Sequence, residues 1–252
     1  MQHHFITPYT GNKRREVINI HDHIKDNLDG IDTIIEPFCG SSAVSYYLST
    51  IYPKRFKYIL NDLDPMLIEL YHLMMDKYRF DKFELLFNET VKLIVNKESY
   101  LKITKPQTFL AWFIRNKIYG FHIGIYRPNY KPKTYDLNKY GIVKFLREEN
   151  VEITLGDGMD LVKQYENNPN ILFILDPPYL NSCNSFYTNQ TTNVYDYCAD
   201  KKINNFNSKM VFILEDIPVI RELFLENIKL SYKKHYELKH KNTEHIIISN
   251  LG

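Results

Sequence analysis

Ile171-Leu172-Phe173-Ile174-Leu175 runs without a break into Asp176-Pro177-Pro178-Tyr179. Five apolar residues in a row, too few for a helix and ended by prolines, read as a strand buried on both faces. The two prolines remove two backbone donors and fix two φ angles, so the carbonyls before them are open to accept hydrogen bonds. Asp176 adds a side-chain acceptor and Tyr179 a flat ring. Acceptors beside an aromatic plane suit the holding of a flat base: the ring stacks on it while the acceptors take N–H bonds from an exocyclic amine. The plainer reading of the four residues is a rigid strand-to-loop turn with a buried tyrosine.

Outward from this strand the chain alternates. Thr33 to Gly40 reads as a buried strand that stops at a Pro and a Gly, and Ser41 to Ile51 as a helix with an apolar stripe. Lys57 to Leu60 is a strand ending at Asn61-Asp62, followed by a helix from Pro65 to about Tyr78. The stretch 80–118 is mainly helical and 119–140 is rich in turn residues. Val151 to Leu155 is a strand, 159–166 a helix, and Lys209 to Leu214 a further strand. The tail is expected to close as a hairpin, Tyr236–Leu238 with His245–Ser249, turning around Lys241-Asn242. Strand and helix in alternation predict an α/β fold with a parallel, doubly wound sheet. The predicted domains are 1–65 with 151–252 for the sheet, and 66–150 as an insertion.

In such a sheet ligands sit beyond the carboxyl ends of the strands. Gly40 ends the first strand, where a missing side chain allows close approach. Asp62 ends the second, where a carboxylate can accept from ribose hydroxyls. Each also has a bland reading, a plain turn and a helix cap.

The bulk composition excludes several classes. With 44% hydrophobic and 25% charged residues the chain is an ordinary globular protein and not a disordered one. No run approaches the roughly 18 apolar residues of a membrane span, and the first residues lack a secretory layout. A cytoplasmic location is therefore expected. Cys39, Cys183 and Cys198 form no CxxC pair, so neither a zinc site nor a disulfide framework is predicted, and no metal is expected. His21, His23 and His122 lack ligand spacing and are expected to serve surface or local hydrogen-bonding roles.

A net charge of +2 says little, but its distribution says more. Residues 115–147 carry eight Lys or Arg against one acid, Asp136, with seven Tyr or Phe interleaved. Cations neutralise phosphates and aromatic rings stack on or wedge between bases. A solvated basic face over a small tyrosine core is the alternative.

Taken together these motifs resemble the Dam-like (D12 class, α-group) DNA adenine-N6 methyltransferases. Tyr9-Thr10-Gly11-Asn12-Lys13 matches the family's aromatic-x-Gly-x-Lys element, and Glu36-Pro37-Phe38-Cys39-Gly40-Ser41-Ser42 its cofactor motif. Asp62 matches the strand-end acid, Gly156-Asp157 the contact to the cofactor's adenine, Asp176 to Tyr179 the catalytic motif, and Thr243 to Asn250 the terminal strand. The separation of 136 positions between Gly40 and Asp176 leaves room for a recognition region in the α order.

The resemblance implies a Rossmann-like, S-adenosylmethionine-dependent methyltransferase sheet with an inserted, mainly helical target-recognition domain. S-adenosylmethionine would be bound by Tyr9, Gly11, Lys13, Glu36, Pro37, Phe38, Gly40, Ser41, Ser42, Asp62, Gly156, Asp157 and Asp176. Asp176, Pro177, Pro178 and Tyr179 would be catalytic, acting on an adenine flipped out of double-stranded DNA. Arg115, Asn116, Lys117, Phe121, Arg127, Lys131 and Lys133 would face the DNA, and a restriction-endonuclease partner in the same system is a further implication. Residues 180–193, polar and rich in Asn, are expected to form a mobile loop over the active site.

The sequence departs from the family twice. Ser42 stands where the family has a second glycine, which is tolerable if φ there is negative. Between Gly120 and Arg127 there is one residue too many, and Asn129-Tyr130-Lys131-Pro132-Lys133 replaces the usual loop, so no recognition sequence is carried over. The alternatives are an N4-cytosine or RNA amine methyltransferase, or a non-catalytic nucleic-acid-binding homologue. Cytosine enzymes more often place Ser at the position of Asp176, and RNA guanine enzymes usually lack the large insert.

Overall fold

The computed structural model describes residues 4–8, 12–119, 126, 128–129, 131, 133–179, 194–200, 203–236 and 241–251. The chain divides into two compact units, Lys13–Asp64 with Glu149–Gly252, and Met1–Asn12 with Pro65–Glu148.

The first of these is built on a seven-stranded sheet. Its strands are β1 (Thr33–Glu36), β2 (Lys57–Asp62), β3 (Asn150–Leu155), β4 (Ile171–Leu175), β5 (Lys209–Glu215), β6 (Ile228–Tyr236) and β7 (Lys241–Ser249). They lie in the order β3-β2-β1-β4-β5-β7-β6. Five run parallel, while β7 enters antiparallel to β5 and to β6. The order reverses between β1 and β4, which pair through Ile35 and Phe173. A doubly wound sheet opens a crevice at such a reversal. This is the mixed α/β, Rossmann-like sheet expected of a methyltransferase.

Parallel strands covered on both faces must be apolar throughout, and β4 is buried at every residue. Ile35, Phe173, Phe212 and Ile248 form one core with Met159 and Val162 of α8 (Gly158–Tyr165) and Phe224 behind α10 (Pro218–Leu223). Helices α1 (Val17–Ile24), α2 (Ala43–Ile51) and α9 (Val194–Asp200) complete this unit.

The closing hairpin corrects the sequence expectation. Its first strand begins at Ile228, not Tyr236, and Lys241-Asn242 belong to β7 rather than to a turn. Ile228, Leu230 and Tyr232 alternate with Lys229 and Ser231, and the pairing is interrupted by a bulge between Ile228 and Leu230.

The second unit carries α3 (Pro65–Met75), α4 (Lys77–Lys92), α5 (Lys97–Thr104), α6 (Phe109–Tyr119) and α7 (Gly141–Glu148). The chain breaks where caps dictate. Asp76 accepts from the Arg79 amide at the start of α4, and Asn96 and Ser99 form a reciprocal capping box at the start of α5. Phe83, Phe87, Phe109 and Phe113 make an aromatic core between α4 and α6. Residues 4–6 pack into this unit. The Ile142 amide donates to the His4 carbonyl at 2.9 Å, and the Phe5 ring lies 6.0 Å from that of Tyr71.

Candidate active site

Four strands end on the same edge of the sheet, and each end carries a motif. β1 runs into Pro37 to Ser42, β2 ends at Asp62, β3 leads to Gly156-Asp157, and β4 leads to Asp176. Gly40 adopts a positive φ of 48°, and its amide donates to Asp62 Oδ2 at 3.0 Å. Asp62 Oδ1 accepts from the Asp64 amide at 3.0 Å. Burial pushes the Asp62 carboxyl up, and these backbone donors partly offset it. Each carboxylate oxygen has a second lone pair, so Asp62 retains acceptor capacity for hydroxyl donors.

Asn61, not singled out in the sequence, holds the strand ends together. Its buried amide nitrogen donates to the Pro37 and Gly156 carbonyls at 2.9 Å each, and its oxygen accepts from the Thr154 hydroxyl at 2.9 Å. Asp157 caps α8 by accepting from the Met159 amide at 3.0 Å. Directly after it, Gly158 has no room for a side chain: a Cβ there would lie 2.5 Å from the Pro37 carbonyl oxygen and 2.8 Å from the Phe38 ring. The loop after β1 is thereby pressed against the start of α8. The one signal for this in the sequence was a glycine at the first position of a helix.

Ser42 does not meet its condition. It lies in the left-handed region at φ 48°, ψ 40°, and it is fully buried at the N-cap of α2. A residue with a Cβ is held there at a cost of about 1–2 kcal/mol. Glu36 is also buried. It accepts from the Ser45 amide at 2.8 Å, and burial raises its pKa to about 7 against the opposing Ser45 hydrogen bonds, with Asp176 adding to the rise.

Asp176, Pro177, Pro178 and Tyr179 follow β4 without regular structure. Lys13, 5% exposed, forms an ion pair with Asp176 Oδ2, and its Nζ lies 5.3 Å from the centre of the Tyr179 ring. The Tyr179 hydroxyl is 3.3 Å from Asp176 Oδ1. The carbonyl engaged by a neighbour is that of Pro178, which accepts from the Tyr195 hydroxyl at 3.0 Å. Lys13 thus meets the Asp-Pro-Pro-Tyr motif itself. Tyr179 in turn stands edge-on to the ring of His245 in β7, at 5.3 Å and 89°.

In the helical unit the basic residues divide. Lys131 and Lys133 are exposed. Arg115 donates to the Thr104 carbonyl, and Asn116 is buried and donates to the Trp112 carbonyl at 3.0 Å. Lys117 turns inward to the Ile6 carbonyl and the Tyr140 hydroxyl, and burial, with Lys139 and Lys133 nearby, lowers its pKa to about 7. Tyr9, Gly11, Phe121, Arg127 and the loop at 180–193 lie outside the described residues, as do His122 and Cys183. His21 and His23 bond locally, to Tyr52 and Ser249. Among the described residues no cluster of three or more His, Cys, Asp or Glu could hold a metal ion, and no helix is long and apolar enough to cross a membrane.

The switch point of the α/β sheet gathers strand-end acids and an acidic, aromatic motif, an arrangement suited to binding a small ligand. Residues 9–127 match the model of the D12 class N6 adenine-specific DNA methyltransferases, and this stretch identifies the chain as a methyltransferase with S-adenosylmethionine as its methyl donor. Solved structures similar to this chain include a protein from Haemophilus influenzae described as a putative methylase, at 13% identity and a TM-score of 0.40, covering 98% of this chain and 92% of that one. The N-terminal domain of human METTL16, solved in complex with SAH, is similar at 10% identity and a TM-score of 0.40, over 95% of this chain and 70% of that one. The methyltransferase subunit of a type I restriction-modification system from Streptococcus thermophilus is similar at 12% identity and a TM-score of 0.44, over 96% of this chain and 45% of that one. No curated protein matches the sequence.

Proposed function

We propose that this methyltransferase acts on DNA, transferring a methyl group to the exocyclic amine of an adenine flipped out of the duplex. The observation that carries the reading is the placement of Asp176 to Tyr179 after β4, across the switch point from Gly40 and beside Lys13. The adenine specificity rests on the family match.

S-adenosylmethionine supplies a methyl group on a sulfonium, already a good leaving group. The residues of the chain then have to bind and orient. Asp62 is suited to accept from the ribose hydroxyls, and the loop from Pro37 to Ser42 and Gly156-Asp157 flank the same crevice. With Lys13 on Oδ2, Asp176 presents Oδ1 to an amine hydrogen. The Pro177 carbonyl is the acceptor for the other hydrogen. Two such bonds raise electron density on the nitrogen and aim its lone pair, while the Tyr179 ring stacks on the base. Held in this way, the amine would take the methyl group from the bound cofactor, which would leave as a neutral thioether, and its surplus proton would pass to solvent. Alignment supplies most of the rate in such a transfer.

The helical unit is the part of the chain proposed to recognise the target, as a domain inserted at 66–150. Lys131 and Lys133 are its exposed candidates for phosphate contact, together with Arg127, with Phe121 as the wedge between bases. Arg115, Asn116 and Lys117 would then shape this surface from within.

The test is transfer of tritiated methyl groups from S-adenosylmethionine to unmodified duplex DNA, followed by mapping of the methylated positions. N6-methyladenine at a defined sequence, lost in Asp176→Ala, is the expected result. Cofactor binding without any adenine methylation would sink the DNA reading.

A further inference from the structure

Behind the Asp-Pro-Pro-Tyr motif lies a buried polar cluster that the reaction as derived does not use. Glu16, 2% exposed, follows the turn that carries Lys13, and its amide donates to the Lys13 carbonyl at 2.7 Å. Its Oε2 accepts from the Tyr232 hydroxyl at 2.6 Å and faces His245 Nδ1 at 3.0 Å, and Oε1 pairs with Lys234. Tyr232 and Lys234 belong to β6 and His245 to β7. His245 is 0% exposed, and its ring also meets the perpendicular Tyr179 ring at 5.3 Å and the Tyr232 ring at 5.9 Å.

A buried carboxylate with three partners is costly to assemble, since each charge must leave water. Burial alone would push the Glu16 carboxyl up; Lys13, His245 and Lys234 outweigh it and hold the group well below the carboxylate range. Glu16 is therefore ionised and can only accept. It follows that His245 carries its proton on Nδ1 and donates it to Glu16, which fixes the plane of the imidazole. An edge-on aromatic pair prefers one orientation, so a fixed imidazole defines the plane of Tyr179. The same carboxylate, through the turn at 13–16, sets the base of the Lys13 side chain that reaches Asp176.

We propose that Glu16 and His245 are positioning residues that lock the plane of Tyr179 and the reach of Lys13 before a substrate base arrives. The claim rests on the amine-methyltransferase reading of the site, but part of its test does not depend on activity. Packing alone would need no carboxylate and no donor at these positions. A device that orients a ring needs both.

The test uses the full chain as wild type, His245→Gln and Glu16→Gln, with 3-fluorotyrosine placed at position 179. His245→Gln keeps a donor for Glu16 but removes the ring; Glu16→Gln keeps the shape but removes the charge. In wild type the fluorine resonance is expected to be a single narrow line, and in each variant to broaden or split. With saturating S-adenosylmethionine and DNA, kcat is expected to fall about tenfold or more in each variant, while the Kd for S-adenosylmethionine stays within about twofold. A narrow, unshifted line together with kcat within about twofold of wild type in His245→Gln would overturn the proposal. Loss of folding in one variant leaves the other to decide. If the wild type transfers no methyl group to DNA, the DNA reading fails, and the fluorine spectra alone decide whether Tyr179 is held by His245.

Discussion

Lys13 and Asp176 stand 163 residues apart in the chain and form a largely buried ion pair at the mouth of the sheet. The turn that carries Lys13 and the Asp-Pro-Pro-Tyr motif after β4 are thereby one assembly. The lysine does not merely neutralise the aspartate. By occupying Oδ2 it leaves Oδ1, shared with the Tyr179 hydroxyl, as the oxygen that the proposed reaction would use to hold the substrate amine.

Lys13→Met is expected to lower kcat by about a hundredfold, the scale on which a preorganised donor acts in an active site. Asp176→Asn is expected to lower it further. In the Asp176→Asn background the Lys13→Met change should then add little, because both alter one unit. Rates for the two single variants and the double variant close this cycle. Simple multiplication of the two effects would show that Lys13 acts apart from Asp176.

Ser42→Gly and Ser42→Ala both remove the hydroxyl, but only the glycine relaxes a φ of 48°. Ser42→Gly is expected to be the more stable of the two by about 1 kcal/mol, seen as a melting temperature a few degrees higher. Equal melting temperatures would mean that the backbone there carries no strain.

Gly158→Ala forces a methyl group into the Pro37 carbonyl and the Phe38 ring. Overpacking of this kind costs about 1–3 kcal/mol. The displaced segment is the loop that flanks the proposed cofactor crevice, so titration calorimetry is expected to show S-adenosylmethionine binding weakened by more than the stability loss explains. Unchanged affinity would remove this loop from the site.

Glu36 supplies a pH dependence whose sign is fixed. Its folded pKa of about 7 lies above its ordinary value of 4.5. The buried protonated form is favoured, so this contribution is fully present below pH 4.5 and is lost as the pH rises through 7. Glu36→Gln keeps an acceptor for the Ser45 amide and cannot ionise. The variant is expected to gain on the wild type between pH 4.5 and 7, by roughly 3 kcal/mol at most. Denaturant melts across this range measure it, and a difference that does not change with pH would contradict the assignment.

The parts of this molecule visible in its sequence are those specified locally. Ile171 to Leu175 could only be a covered strand, and the strands at 33–36 and 57–62 announce themselves by the same apolar runs. Asp62, Gly40 and Asp176 stand at strand ends, where a parallel sheet must gather its ligand contacts. What stayed hidden depends on distance in the chain or on backbone detail. Glu16 meets His245 across 229 residues, and nothing near either position signals the other. Asn61 looked like a companion to Asp62, while its role is to bind three strand ends at once. The positive φ of Ser42 breaks a local rule at a serine, and local rules read negative φ there.

Residues 4–6 have a consequence for anyone who would exchange the proposed recognition domain between such enzymes. His4 and Ile6 give their carbonyls to Ile142 and Lys117, and Phe5 faces Tyr71, all partners that belong to the stretch 65–148. A graft that replaces this stretch alone would leave a native leader facing foreign helices, with its hydrogen-bond partners gone. The transplantable module is therefore discontinuous: residues 1–12 travel with 65–148, and the joints fall at Lys13, at Pro65 and after Glu148.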